Sequence, residues 1–277
     1  MTKTDQRRAS IDWMRGFVMV LMAIDHASQT WNAGRVAADS AYLLSPTTGG
    51  PAWIPGTELD SAQFFTRWIT HLCAPTFLFL SGTSLAMSFE KRRAMGMKES
   101  ELDRHLLIRA AVILGFEGLL SLAAAQGVMI LQVLSAIGFS MVAMVAFRRL
   151  PTSLLVALGT GWLFGSEWVL NQIAPIGPEP RALWEIVLLV PGYSSPFYSM
   201  YPMTHWAAMM LLGWGFGRYL LGLRNNDDGN EQAEKLLLLS GLSALLFWAF
   251  LRTANGYGNM GLLRDDTTIV QWLHMSK

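Results

Sequence analysis

The chain has 277 residues, of which 52% are hydrophobic and only 15% are charged, and its net charge is +1. Soluble domains carry about 25% charged residues, so this composition excludes an ordinary soluble core as well as a polyelectrolyte that binds nucleic acid. The single cysteine, Cys73, excludes an intrachain disulfide and a cysteine-rich metal site.

Seven segments are long and apolar enough to cross a bilayer as helices, which takes about 20 residues each. In chain order they are Ile11–Trp31, Phe64–Phe89, Leu106–Ala125, Val128–Phe147, Ser153–Leu170, Met203–Leu221 and Leu236–Arg252. The stretch Ala182–Val190 is too short to span and is expected to form a re-entrant or interfacial helix. The sequence therefore predicts an all-α, polytopic transmembrane helix bundle of about seven spans, forming a single domain over residues 1–277.

Basic residues in the short loops set the expected orientation. They accumulate before the first span and after the second, fourth and sixth spans, at Lys3, Arg7, Arg8, Lys91, Arg92, Arg93, Lys98, Arg104, Arg148, Arg149, Arg224 and Lys235. Because loops rich in Lys and Arg stay in the cytoplasm, we expect a cytoplasmic N-terminus. The expected location is a plasma membrane, or the inner membrane if the source is bacterial.

Ionisable residues at membrane depth usually mark function, and the first span carries four of them. Asp12 and Arg15 are three residues apart and share a helix face. Their pair either anchors the helix start or lets Arg15 bind an anionic ligand. Near the outer end, His26 is either a general base or an interfacial histidine at the helix end. Asp25 points about 100° away from His26, so we expect it to meet another helix.

The second span adds Arg67 and His71, four residues apart on one predicted face and at the level of His26. Pro75 is expected to kink the helix beneath them. In the third span, Glu117 is either a partner for an arginine or a proton-handling acid. His205 begins the sixth span and could join the site.

Small residues predict close helix contacts at Ser81–Ser84 and at Gly213, Gly215 and Gly217. The sequence contains neither an H-x-x-x-H nor an H-E-x-x-H pair. We therefore predict no metal site.

Four runs carry a family resemblance. The run Ser10–Phe17 (SIDWMRGF), followed by a helix that reaches Asp25-His26, resembles the opening of the heparan-α-glucosaminide N-acetyltransferase-like membrane proteins, which form a superfamily with the acyltransferase type 3 group. The runs Pro75–Ser84, Leu212–Arg218 and Arg252–Gly258 are similar to later helices of that family.

The resemblance implies acyl transfer, typically of acetyl from cytoplasmic acetyl-CoA to a sugar-type acceptor on the other side of the membrane. By motif position, the catalytic histidine is His26, and Asp12 and Arg15 belong to the opening motif. Family members generally continue beyond Leu273–Lys277 into further helices, so the resemblance also implies either a member truncated at its C-terminus or an incomplete sequence.

Two further groups of residues receive roles in this hypothesis. A cation in a low-dielectric site stabilises forming negative charge, so we expect Arg67 or His71 to stabilise the oxyanion. The CoA phosphates are expected to attract basic side chains at the inner side. These are Arg15, Arg92, Arg93 and Arg109, together with Lys91.

Two other classes stay open at this point. A transporter or flippase would use the same intramembrane polar residues as a path for protons or substrate, although no inverted repeat is visible. The other class is a structural or haem-binding membrane subunit, in which a bis-histidine haem would take its two ligands from His26, His71 and His205. The expected partners are the bilayer, acyl-CoA and a carbohydrate-type acceptor, with a homo-oligomer as an open alternative to a monomer.

Overall fold

The computed structural model describes residues 3–31, 43–44, 51–53, 61–123, 127–174, 180–223, 226, 228–254, 257 and 263–264. The segment Leu273–Lys277, to which the expected truncation refers, lies outside these residues. The chain divides into two compact units. Unit 1 comprises Met1–Cys73 with Asp227–Lys277, and unit 2 comprises Ala74–Asn226.

Helices make up most of the described residues. They are α1 (Lys3–Trp31), α2 (Ser61–Thr70), α3 (Cys73–Ala94), α4 (Glu99–Ala123), α5 (Val133–Phe147), α6 (Thr152–Ile173), α7 (Leu183–Leu188), α8 (Met203–Gly222) and α9 (Gly229–Ala254). The strands are β1 (Leu43–Leu44), β2 (Pro51–Trp53), β3 (Met129–Leu131), β4 (Gly192–Ser194), β5 (Phe197–Ser199) and β6 (Leu263–Arg264). The helical fold class is confirmed, and α7 is the short helix that Ala182–Val190 predicts.

Four described helical stretches are long and apolar enough to cross a membrane: Trp68–Ala94, α4, α6 and α9. The apolar helix α5 is shorter, at 15 residues. Large apolar side chains such as Phe116, Leu120 and Leu246 are exposed on these helices, as expected for surfaces that face lipid tails rather than water. The total of seven spans and the cytoplasmic N-terminus stay predictions.

Close contacts set the helix directions within unit 2. Helix α4 runs antiparallel to α5, since Ser121 near the end of α4 donates a hydrogen bond to the carbonyl of Ile130 just before α5 (2.7 Å). Helices α6 and α8 are antiparallel as well. Gly159 of α6 lies against Ala208 of α8, whereas the earlier α6 residue Val156 lies against the later α8 residue Gly215. Helices α3, α5 and α8 therefore share one direction, and α4 and α6 run in the other.

This alternation gives unit 2 two different ends. At the charged end, α3, α5 and α8 finish while α4 and α6 begin, and ion pairs join Glu90, Arg93, Glu99, Asp103, Arg148, Arg149 and Arg218. At the strand end, β5 lies between β3, its parallel partner, and β4, its antiparallel partner. Among the residues that the structure describes in unit 2, the basic ones predicted to be cytoplasmic thus gather at one end.

The core of unit 2 joins all five of its long helices. Buried apolar residues from each helix meet there: Leu78, Leu85, Phe89, Leu102, Leu106, Ile137, Met141, Met144, Leu155, Met210 and Trp214. The predicted role of the small residues is confirmed, since Gly82 lies against the Met210 backbone and Gly213 against the Phe79 carbonyl. Small residues allow two backbones to approach this closely.

Two predicted spans differ from the structure. The span Phe64–Phe89 contains a turn at His71-Leu72, which separates α2 from α3 inside the membrane-length stretch Trp68–Ala94. Pro75 explains the break, because proline lacks the N–H that would bond the carbonyl four residues earlier, at His71, and its ring clashes with that carbonyl. The span Val128–Phe147 begins with β3, since Met129–Leu131 pair with β5, and its helix starts only at Val133.

The contact at Gly213 gives a testable packing prediction. A methyl group there would collide with the Phe79 backbone, so Gly213→Ala is expected to lower the free energy of unfolding by about 3 kcal/mol. Gly161→Ala is the matched control, because a Cβ at Gly161 meets no atom within 4 Å. Thermal unfolding in detergent compares the two variants. Equal unfolding temperatures would contradict the close helix contact.

Candidate functional site

The first pair of predicted site residues lies near the start of α1. Arg15 Nη1 is 3.6 Å from Asp12 Oδ1, three residues away along the helix. The predicted pairing is therefore confirmed. The guanidinium of Arg15 already faces a carboxylate, which offsets its attraction for other anions.

Further along α1, a hydrogen bond joins this helix to α2 within unit 1. Thr70 Oγ1 donates to Asp25 Oδ1 at 3.2 Å, so Asp25 meets another helix as predicted. His26 follows Asp25 directly and is exposed, whereas His71 follows Thr70 directly and is half-buried. Both histidines thus lie one residue beyond the same interhelical contact.

The predicted common helix face of Arg67 and His71 stays a prediction, because the Arg67 side chain lies outside the described residues. Helix α2 ends at Thr70, and His71 lies in the turn that Pro75 imposes. The backbone of Arg67 is part of α2, but its side chain lies outside the described residues, so its approach to His26 stays a prediction.

The charged end of unit 2 is built around Arg148, whose side chain is 0% exposed. Its guanidinium donates to Glu99 Oε2 (2.5 Å) and to Asp103 Oδ1 (2.9 Å from Nε), and it lies 5.6 Å from the ring centre of Phe89. Arg218 of α8 donates to the carbonyl oxygens of Leu150 and Arg148. These bonds tie α3, α4, α5 and α8 together.

Three predicted CoA-binding arginines lie on α3 and α4, and their surroundings differ. Arg93 is neutralised, because Nε donates to Glu99 and Nη1 to Glu90, both at 2.8 Å. Arg92 Nη1 lies 2.8 Å from His105 Nε2 instead. Arg109 is exposed on α4, four residues after His105 and on the same helix face. We call these three residues, Arg92, His105 and Arg109, the basic strip. Among the described contacts, no carboxylate pairs with either of its arginines.

Glu117 is buried, and its partner among the described residues is a backbone N–H rather than an arginine. Its role as a proton-handling acid stays a prediction. Its carboxylate accepts a hydrogen bond from the backbone N–H of Gln132, the residue before α5. The first N–H groups of a helix lack partners within the helix, and the positive end of the helix dipole favours an anion there. In the structure, Glu117 therefore caps α5.

A polar pair at the strand end was not predicted as a pair from the sequence. His205 Nε2 of α8 lies 3.1 Å from Ser166 Oγ of α6, and both residues belong to unit 2. The sequence singled out His205 but not its partner. Ser166 and Trp162 share a face of α6, yet no spacing within one helix indicates which neighbouring helix that face meets. Within the described ranges, no three His, Cys, Asp or Glu side chains converge as a metal site requires.

Comparison with known families gives the geometry its context. The family model described as heparan-alpha-glucosaminide N-acetyltransferase, catalytic, matches residues 52–252, which is well over half of the chain. The chain belongs to this family. It is an integral, multi-pass membrane protein of an acetyltransferase family that uses acetyl-CoA as donor. No curated protein and no solved structure matches the chain.

The match to the N-acetyltransferase family divides the candidate residues into two groups. It covers His71, the basic strip Arg92–His105–Arg109, and the Ser166–His205 pair. The opening motif with His26 precedes residue 52. The resemblance of the runs Pro75–Ser84 and Leu212–Arg218 to this family is thereby confirmed, whereas the run Arg252–Gly258 lies beyond the match except for Arg252. The role of each individual residue stays a proposal.

Proposed function

We propose that the chain transfers an acetyl group from cytoplasmic acetyl-CoA to a sugar-type acceptor on the outer side of the membrane. The observation that carries this proposal is the match to the N-acetyltransferase family over residues 52–252. His26 acts as the general base that removes a proton from the acceptor amine or hydroxyl. The acceptor nitrogen or oxygen then bonds to the acyl carbon, and CoA leaves as the free thiol after its C–S bond breaks.

The support for the role of His26 is its position beside an interhelical hydrogen bond. The Thr70–Asp25 bond fixes α1 against α2 one residue before His26 and one residue before His71. A base that is held by a packed helix pair loses less freedom when it meets its substrate. Arg67 or His71 supplies the positive charge that stabilises the oxyanion. Arg67 belongs to α2 and His71 follows it directly, so both lie close in sequence to the Thr70–Asp25 hydrogen bond.

The donor's phosphates bind at the charged end of unit 2, on the basic strip Arg92–His105–Arg109. Phosphate oxygens favour guanidinium groups that are not already neutralised. Arg93 and Arg15 contribute less, since each faces a carboxylate. The strip therefore carries most of the expected affinity for the CoA phosphates.

Donor binding can be measured by thermal unfolding of the purified protein. Acetyl-CoA at about 100 times its dissociation constant is expected to stabilise the protein by about 2.7 kcal/mol. Arg109→Gln removes one phosphate contact and is expected to weaken binding about tenfold, which corresponds to about 1.4 kcal/mol. The measurement is the midpoint temperature as a function of acetyl-CoA concentration.

Arg104→Gln is the matched control for this measurement. It removes the same charge from the same helix, about 140° around the axis from Arg109, and should leave the acetyl-CoA titration unchanged. The donor site is wrong if acetyl-CoA fails to stabilise the parent protein, or if the two variants weaken binding equally.

A further inference from the structure

The contact between Arg92 and His105 fixes the protonation state of this imidazole in the structure. Arg92 Nη1 lies 2.8 Å from His105 Nε2. A guanidinium has donors but no acceptor, so Nε2 is the acceptor of this hydrogen bond. A histidine that accepts a hydrogen bond is neutral, because both ring nitrogens of an imidazolium are donors. In the structure, the basic strip therefore carries the charges of its two arginines and none on His105.

Protonation of His105 changes this contact. An imidazolium accepts no hydrogen bond, and its positive charge repels the guanidinium of Arg92. The charge of a histidine ordinarily changes in the physiological pH range, and His105 is exposed in the second turn of α4. The basic strip can thus exist in two states, which differ by one proton and by the Arg92–His105 bond.

The charged groups that face His105 come from α3 and from α4 itself. Arg92 faces it from α3. Along its own face of α4, Glu101 lies one turn before it, Lys98 two turns before it and Arg109 one turn after it. The Glu101 carboxylate accepts a hydrogen bond from the Lys98 backbone N–H (2.9 Å), so it caps the start of α4. Among the described contacts, the hydrogen-bond partner of His105 is Arg92.

Helix α5 also packs against α4, but its charged residues face other groups. Arg148 and Arg149, just after the end of α5, both pair with Asp103, which points about 160° away from His105 around α4. Arg148 pairs with Glu99 as well. These carboxylates already bind arginines and are not among the described partners of His105, so the strip keeps its positive charge.

We propose that His105 takes up a proton when a CoA phosphate binds the basic strip, so that the affinity for the donor rises as the pH falls. This inference rests on the proposed function, which places the donor phosphates on this strip. A phosphate oxygen replaces the imidazole as the acceptor for Arg92, since an anion is a stronger acceptor than a neutral nitrogen. The freed Nε2 binds a proton and donates it in a hydrogen bond to the phosphate. The bound anion then meets three cations instead of two.

The direction of the pH dependence follows from this exchange. The complex holds one more proton than the free protein, so lower pH favours binding until His105 is protonated in both states. A phosphate monoester such as that of CoA titrates in the same range. Its effect has the opposite sign, because it loses negative charge as the pH falls. This opposing effect is common to every variant of His105, so a comparison of variants removes it.

The test measures the dissociation constant of acetyl-CoA for the purified full-length chain at about pH 6 and about pH 8, on either side of the range in which histidine titrates. Two variants bracket the parent protein. His105→Gln is polar and does not titrate, whereas His105→Arg stays charged at both pH values. Relative to His105→Gln, the parent should bind about tenfold more tightly at the lower pH and nearly equally at the higher pH. His105→Arg should bind more tightly than His105→Gln at both.

His205→Gln is the matched control, since it removes a histidine at the strand end of unit 2, and glutamine can still bond to Ser166. It should keep the pH dependence of the parent protein. The same change of affinity with pH in the parent and in His105→Gln overturns the proton uptake by His105 and leaves the proposed function standing. Absence of acetyl-CoA binding to the parent at both pH values overturns both.

Discussion

Replacing His26 with alanine is expected to abolish acetyl transfer by the purified protein. A general base contributes roughly 10²–10⁴-fold to a proton-transfer step, so kcat should fall by at least about a hundredfold. His26 is exposed on α1, and the bond between Thr70 and Asp25 does not involve it. The variant should therefore keep the parent's unfolding temperature. The measurement is the initial rate of CoA release at saturating acetyl-CoA and acceptor.

His105→Ala separates loss of the base from loss of donor binding. His105 contacts Arg92 in the basic strip, so its removal should raise KM for acetyl-CoA and leave kcat largely unchanged. A loss confined to kcat identifies an interaction made in the transition state. Parent-like transfer by His26→Ala would remove this residue from the mechanism.

Replacing Arg148 with alanine is expected to cause the largest loss of stability. The guanidinium is fully buried and pairs with Glu99 and Asp103 of α4. Without it, these carboxylates would keep only the exposed arginines Arg93 and Arg149 as partners. Breaking a buried pair by removing one partner costs about 3–5 kcal/mol. At about 2–4 °C per kcal/mol for a chain of this size, the unfolding temperature should fall by about 10 °C.

The adjacent arginine is the matched control. Arg149 also pairs with Asp103, but its side chain is 53% exposed. Exposed pairs contribute about 0–1 kcal/mol, so Arg149→Ala should shift the unfolding temperature by only a few degrees. Arg148→Lys tests the geometry, because lysine keeps the charge and loses the planar fork. Similar shifts for Arg148→Ala and Arg149→Ala would show that the buried network does not hold the charged end together.

The helices were the part of the fold most accessible from the sequence. The lengths of the apolar segments predict where α6, α8 and α9 begin and end, in most cases to within a few residues. This works because a helix in lipid satisfies its own backbone hydrogen bonds. The small residues at Gly82 and Gly213 also predict close contact correctly. Hydropathy could not reveal β3, because Met129–Leu131 are as apolar as a span and their pairing with β5 depends on residues 68 positions later.

The site was less accessible, and particular residues show why. Pro75 was expected to bend the helix beneath His71, yet its missing N–H acts on the carbonyl four residues earlier and places the break at His71 itself. Glu117 was expected to pair with an arginine or to act as a proton-handling acid, whereas in the structure it accepts a hydrogen bond from the backbone N–H of Gln132, just before α5. The partners of Arg148 and His205 lie 45 and 39 residues away in sequence. Spacing along one helix carries no information about such pairs.

The central claim is acetyl transfer from CoA, and reconstituted transfer across a membrane tests it most directly. The purified chain is placed in liposomes with acetyl-CoA on one side and an amino sugar on the other. The proposed function predicts that CoA thiol appears only when the amino sugar is present, in an amount equal to the acetylated sugar. Movement of the sugar across the membrane without release of CoA thiol would contradict it and would identify a carrier instead.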